Sequence, residues 1–277
     1  MTTEAVRRES IGDLVLDHLP PDRPPDRLPI LFVHGLWAGA WMWERWLPVA
    51  AARGWDAWAL ELRGRGGSRP VSDLGKVRIA DFVTDVRDAL RHLGDAVLVG
   101  HSMGGLVAQA VAAEDPHVRA AAFLCSVPPG DIRALTGPVL RRSLRYLPSM
   151  ATGGRIAQRR SDADVLTMNR MTASERDVTF PRCIADSGTV AREIALGRVS
   201  VDATRVTCPV LVGGATEDRI SSPAIHPKLV ARYAAESMVF PGRGHLITLE
   251  EGSEDRAHAV LDWAERVLGK QPPAATD

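Results

Sequence analysis

The chain is predicted to be an α/β protein: a doubly wound, mostly parallel sheet interrupted by a helical cap insertion. Three observations predict this. Short, fully apolar segments alternate with amphipathic ones over residues 28–124 and again over 209–268. Between about 131 and 204 the alternation stops, and the chain reads as Arg-rich and helical, with no convincing strand. A Gly-x-Ser-x-Gly pentapeptide, Gly100-His101-Ser102-Met103-Gly104, lies where an apolar run passes into a helical one. Strands that are apolar on both faces imply a parallel sheet covered by helices on both sides. The insertion then falls over the carboxyl ends of the strands, where open α/β sheets bind ligands.

Each element has its own signal. Residues 1–28 read as edge strands and a turn, with Pro20-Pro21-Asp22-Arg23-Pro24-Pro25-Asp26-Arg27 as an exposed loop. Leu28–Val33 is a strand ending at His34-Gly35, Trp41–Arg53 a helix and Asp56–Leu62 the next strand. Ile79, Phe82, Val83, Val86, Leu90 and Leu93 recur at helical spacing, with Asp81, Asp85, Arg87, Asp88 and Arg91 opposite. Asp95–Val99 is a buried strand bounded by Gly94, and Leu106–Ala113 a helix ended by Pro116. Arg119–Leu124 is a further strand. Alternation resumes at Pro209–Gly214, followed by a helix near 225–235 and a strand at Ser237–Phe240. The last helix, Glu254–Leu268, carries the stripe Val260, Leu261, Ala264, Val267 and Leu268. The expected division is a core of 1–127 and 206–269, a cap of 128–205 and a disordered tail of 270–277.

Composition excludes several classes. A formal net charge of +0 gives no overall pull toward nucleic acid or anionic membranes. The first ten residues lack the apolar region of a signal peptide, and no run of about 18 apolar residues is present to span a membrane. Cys125, Cys183 and Cys208 are odd in number and widely spaced, which fits reduced thiols in a cytoplasmic protein. There is no metal-ligand cluster by spacing. Gly64-Arg65-Gly66-Gly67-Ser68-Arg69 misses the dinucleotide spacing because Arg69 stands in place of the last glycine.

The pentapeptide carries the chemistry. A serine at a sharp strand-to-helix turn needs small neighbours two residues before and two after, and the turn lifts its hydroxyl out of the sheet. The helix behind it aims free N–H groups at the same spot. A serine hydroxyl also needs a base within reach and an acid to orient that base. Among eight histidines, His245 is the candidate base, because Pro241-Gly242-Arg243-Gly244 lets a loop place its ring after the last strand. His92, His117 and His258 read as solvated, and His101 must turn away from Ser102. Asp218 is the candidate acid at the turn after the preceding strand, with Glu217 as the fallback. The oxyanion donors are expected to be the N–H groups of Leu36, in His34-Gly35-Leu36-Trp37, and of Met103.

Together, His34-Gly35, Arg63-Gly64-Arg65-Gly66-Gly67-Ser68, Gly100-His101-Ser102-Met103-Gly104-Gly105, Asp218 and Gly244-His245 resemble the α/β-hydrolase fold of serine hydrolases. The resemblance covers most of the chain outside the cap. It implies an eight-stranded sheet, no cofactor, and hydrolysis of a small-molecule ester through an acyl-enzyme. The run His34–Trp43 is also similar to that of small-molecule esterases and hydroxynitrile lyases. Glu61 departs from the Asp usual among relatives, and a Ser nucleophile argues against epoxide hydrolase or haloalkane dehalogenase chemistry. Thioester, lactone or carbon–carbon hydrolysis and perhydrolysis stay open on the same triad. So do a lyase using the triad as acid and base, a non-enzymatic receptor, and a homodimer.

The pocket has fewer signals. Trp43, Trp46, Trp55 and Trp58 are expected to pack the core, whereas Trp37 and His34 beside the oxyanion loop are pocket candidates. Met150, Met168 and Met171 are candidates for an adaptable apolar lining. Residues 131–205 hold thirteen arginines, no lysine and eight carboxylates, which reads either as a solvated surface or as an attractor of anionic substrates.

Overall fold

The computed structural model describes residues 5–133 and 137–269, so the expected disordered tail lies outside the described residues. Strands β1 (Arg7–Ile11) and β2 (Leu14–Leu19) form an antiparallel hairpin at one sheet edge. Next come β3 (Ile30–Val33), β4 (Ala57–Glu61), β5 (Ala96–His101) and β6 (Val118–Leu124). Two short strands in the insertion, β7 (Arg155–Ile156) and β8 (Asp186–Ser187), pair antiparallel with each other. Strands β9 (Val210–Ala215) and β10 (Glu236–Phe240) complete an eight-stranded sheet of order β1-β2-β4-β3-β5-β6-β9-β10. From β4 onward every neighbouring pair is parallel.

The apolar runs split between two faces because side chains alternate along a strand. Val97 and Val99 of β5 join Phe32, Trp43, Trp46, Trp55 and Trp263 on one face, under α1 (Trp46–Ala52). Ala96 and Leu98 join Leu31, Phe82, Val86 and Leu106 on the other, under α2 (Ile79–Leu93) and α3 (Met103–Glu114). The α2 helix starts where Asp81 and Glu193 accept the Arg78 and Ile79 N–H groups, and it ends at Gly94, whose φ is 75°.

The expected helix Trp41–Arg53 is instead a 3₁₀ turn at Ala40–Trp43 followed by α1. Pro48 explains the break: it has no N–H for a helix running through it, but it is tolerated in the first turn of a helix restarting at Trp46.

Between β6 and β9 the chain leaves the sheet to form α4 (Gly137–Ser143), α5 (Leu147–Thr152), α6 (Arg160–Asp162), α7 (Ala173–Thr179) and α8 (Gly188–Ala195). The β7–β8 ladder corrects the expectation that this segment holds no strand. It is only two residues per strand, too short for an alternating pattern to show. Helices α9 (His226–Tyr233) and α10 (Ser253–Leu268) follow on either side of β10, and α10 packs on α1. Among the described residues no helix is long and apolar enough to cross a membrane.

His18 ties the hairpin to the sheet. Its ring stacks on Trp58 at 3.5 Å, and its two nitrogens meet Glu9 and Asp56 at 2.7 Å each. Burial disfavours charge on this ring, but the hydrogen bonds and charges of Asp56 and Glu9 outweigh it and raise the pKa above the usual 6.5. A raised folded-state pKa gives stability that is full below the unfolded value and is lost as pH rises through the folded one. Relative to His18→Gln, the protein is therefore expected to lose unfolding free energy as pH climbs past 6.5. Urea unfolding at mildly acidic and mildly alkaline pH checks this, and equal pH slopes in the two proteins would contradict it.

Candidate active site

The site forms at the carboxyl ends of β5, β9 and β10. Ser102 directly follows β5 and precedes α3, with φ 55° and ψ −118°, in left-handed backbone that a non-glycine residue rarely adopts. The surrounding backbone holds it there: the Ser102 N–H donates to the Leu124 carbonyl and the Val127 N–H to the Ser102 carbonyl, both at 3.0 Å. The glycines two before and two after are needed for space. A Cβ on Gly100 would lie 2.2 Å from the Gly104 carbonyl oxygen, and one on Gly104 would lie 2.4 Å from that of Val33.

Ser102, His245 and Asp218 form one hydrogen-bonded line. His245 Nε2 lies 3.0 Å from Ser102 Oγ, and His245 Nδ1 lies 2.9 Å from Asp218 Oδ2. With a carboxylate as acceptor, Nδ1 carries the proton and Nε2 is free to accept from the hydroxyl. The other Asp218 oxygen accepts the Ile220 and Ser221 N–H groups at 2.8 and 2.9 Å. All three residues are buried.

A turn and the end of β5 fix the backbone that carries the imidazole. Glu250 accepts the Gly244 N–H, and His101 Nε2 donates to the His245 carbonyl at 2.8 Å. Burial, with the neighbouring His245, pushes the His101 pKa down to about 3, so its ring is a neutral donor. Glu217, the fallback acid, is set apart: it pairs with Arg170 at 3.2 Å and is half exposed.

In space, His101, Cys125 and His245 bring ligand-type atoms within 4.8 Å of one another, a proximity that sequence spacing does not reveal. His245 is committed to Ser102 and Asp218. Burial, with Asp218 adjacent, pushes the Cys125 thiol well above its usual range, so it stays protonated. A protonated thiol is a poor metal ligand.

The oxyanion candidates are free donors. Among the described residues the Leu36 and Met103 N–H groups reach no backbone acceptor, and Leu36 lines a cavity together with Ser102 and His245. The next residue, Trp37, also has left-handed backbone, with φ 62°. Cap residues grip it from both sides: its N–H donates to Asp186 Oδ2 at 3.0 Å and its carbonyl accepts the Ile184 N–H at 2.9 Å. Asp186 is in turn held bidentately by Arg65, at 2.9 and 3.0 Å, with both side chains fully buried. Sequence reading missed this pair. Its partners lie 121 residues apart, and no spacing connects them.

The cavity is mostly apolar. Trp37, Met150 and Met168 line it, along with Trp41, Val139 and Ile225. His34 and Met171 do not, which corrects both pocket expectations. His34 is fully buried beneath the oxyanion loop, where its Nδ1 donates to the Gly35 carbonyl and the Leu62 N–H reaches its Nε2. Burial and the Arg65 charge lower its pKa to about 3. Met171 packs into the core and borders a separate surface groove with Glu44 and Arg182.

Residues 30–263 match the model of the alpha/beta hydrolase family. The chain belongs to that family. It is 28% identical over 266 residues to the monoacylglycerol lipase of Mycolicibacterium smegmatis, covering 90% of this chain and 92% of the relative. A haloperoxidase-like protein of Mycobacterium phage D29 is 36% identical over 109 residues, but the match spans only 37% of either chain. Among solved structures, Palaeococcus ferrophilus monoacylglycerol lipase superposes with a TM-score of 0.71 at 19% identity, covering 91% of this chain and 98% of that one. At that identity the likeness establishes the fold alone.

Proposed function

We propose that this family member is a serine hydrolase that cleaves a carboxylic ester of a small or medium apolar substrate. The observation that carries the reading is the line from Ser102 Oγ through His245 to Asp218, at 3.0 and 2.9 Å, opening into an apolar cavity. In the proposed reaction Ser102 Oγ attacks the ester carbonyl as His245 Nε2 takes its proton. The Leu36 and Met103 N–H groups hold the oxyanion, and Asp218 stabilises the imidazolium. His245 then protonates the leaving alkoxide. Water attacks the acyl-Ser102 carbonyl with His245 again as base, releasing the acid. Each oxyanion donor supplies about 3–4 kcal/mol of transition-state stabilisation in comparable sites.

The kinship with a monoacylglycerol lipase supports an ester as substrate. The experiment is hydrolysis of p-nitrophenyl esters from acetate to palmitate. An optimum at intermediate acyl length is expected, because the apolar lining rewards chain length until the cap closes the cavity. Thioester, lactone, carbon–carbon and peroxide-dependent substrates in the same panel separate reactions that share the acyl-enzyme. Inactivity across the whole panel would overturn the ester reading in favour of a lyase or receptor.

A further inference from the structure

The arginine-rich cap has a specific consequence for the cavity. Of the thirteen arginines between 131 and 205, Arg142 alone borders the cavity among the described residues, alongside Tyr146, Gln158 and Asp162. Several others are tied elsewhere: Arg160 to Asp164 and Asp177, Arg170 to Glu217, Arg182 to Glu44, and Arg192 to backbone carbonyls. The general charge excess therefore does not carry over to the cavity wall.

The arginine at the wall, Arg142, has the two donors of Nη1 engaged out of the five its guanidinium carries. Arg142 Nη1 donates to Asp162 Oδ1 at 2.9 Å and to the Ser161 carbonyl at 3.4 Å. Asp162 is buried and saturated, since Arg145 also contacts it, at 3.1 Å, and the Tyr146 hydroxyl donates to it at 2.7 Å. Two guanidinium charges thus face one carboxylate, leaving a net positive charge at this end. Among the described residues the Nε and Nη2 of Arg142 reach no acceptor. The Nε–Nη2 edge presents two parallel N–H groups, the geometry that takes a carboxylate in a two-bond fork. Low-dielectric walls strengthen such a contact relative to water.

We propose that the cap end of the cavity is a carboxylate subsite, in which the free edge of Arg142 takes an anionic terminus of an ester whose scissile carbonyl lies at Ser102. Asp162, Arg145 and Tyr146 hold the guanidinium in place. The substrate class is the half-ester of an aliphatic dicarboxylic acid or a close analogue, with a methylene chain lying along the apolar wall. This rests on the ester-hydrolase reading above and goes beyond it by naming the end opposite the reacting bond.

The test compares monoethyl adipate and monoethyl suberate with ethyl hexanoate and ethyl octanoate, followed by proton release in a pH-stat. The half-ester to neutral-ester ratio of kcat/KM is expected to fall tenfold or more in Arg142→Gln. A smaller fall is expected in Arg145→Gln, which loses one charge but no cavity contact. An unchanged ratio in Arg142→Gln, or an equal fall in both variants, would overturn the subsite. Calorimetric binding of free suberate to wild type and to Arg142→Gln gives a second readout independent of turnover. If wild type hydrolyses none of these esters yet binds suberate through Arg142, the subsite stands and the hydrolase reading fails. If suberate binds equally to both proteins or to neither, the subsite fails whatever the turnover.

Discussion

Replacing Ser102 by alanine is expected to lower ester turnover by about 10⁶-fold with the fold intact. The loss is large because the line of hydrogen bonds acts as a unit: without Oγ, His245 has no proton to take and no acyl-enzyme forms. The turn itself should survive. Its left-handed backbone at Ser102 is held by the Leu124 and Val127 contacts, which are main-chain bonds that alanine retains. Purified Ser102→Ala with an unchanged unfolding midpoint and residual activity near the background rate is the expected outcome. Turnover within tenfold of wild type would remove Ser102 from the reaction.

Replacing Asp186 by alanine is expected to destabilise the protein by about 3–5 kcal/mol, the usual cost of leaving one charge of a buried pair uncompensated. Arg65 would keep its guanidinium in a fully buried position without its hydrogen-bonded partner, and the Trp37 N–H would lose its acceptor. The effect should not be confined to stability. Trp37 follows Leu36, the candidate oxyanion donor, and its strained φ of 62° is maintained by the two cap contacts. Releasing the loop is expected to lower kcat by about 10²-fold, the scale of a 1 Å misplacement at a reacting centre, with a smaller change in KM. Asp186→Asn, which keeps an acceptor for the Trp37 N–H but loses the charge, should recover part of kcat. Thermal unfolding and steady-state kinetics on the two variants check this, and wild-type kcat in a folded Asp186→Ala would contradict it.

How legible each part of the site was depends on how local its cause is. Gly100 and Gly104 announce the Ser102 turn, although only the Gly100 clash is local to the pentapeptide: Gly104 is needed for the close approach of Val33 on the neighbouring strand. Asp218 follows the apolar strand β9 and His245 the mostly exposed edge strand β10, each with glycines close by, and the order of these strands along the chain matches their order in the sheet. The cap gave no such signal. Its helices are short, and which side chain faces the cavity is settled by packing against distant elements. Arg142 and Asp162 therefore looked no different from the other charged residues of the segment. Met150 and Met168 reach the cavity while Met171, three residues beyond Met168, turns into the core. His34 adjoins the oxyanion loop in sequence, but burial and its bonds to Gly35 and Leu62 place its ring below the cavity floor. The β7–β8 ladder and the Arg65–Asp186 pair are long-range contacts, invisible to any window of local pattern.

All of the proposed chemistry depends on Ser102 acting as a nucleophile activated by His245. The most direct measurement is intact and peptide-level mass spectrometry after treatment with a fluorophosphonate, which reacts with an activated serine as a mimic of the acyl carbon. One phosphonyl group per chain is expected, located on Ser102, with labelling abolished in Ser102→Ala and strongly slowed in His245→Ala. A chain that stays unlabelled, or carries the group on another residue, would contradict it.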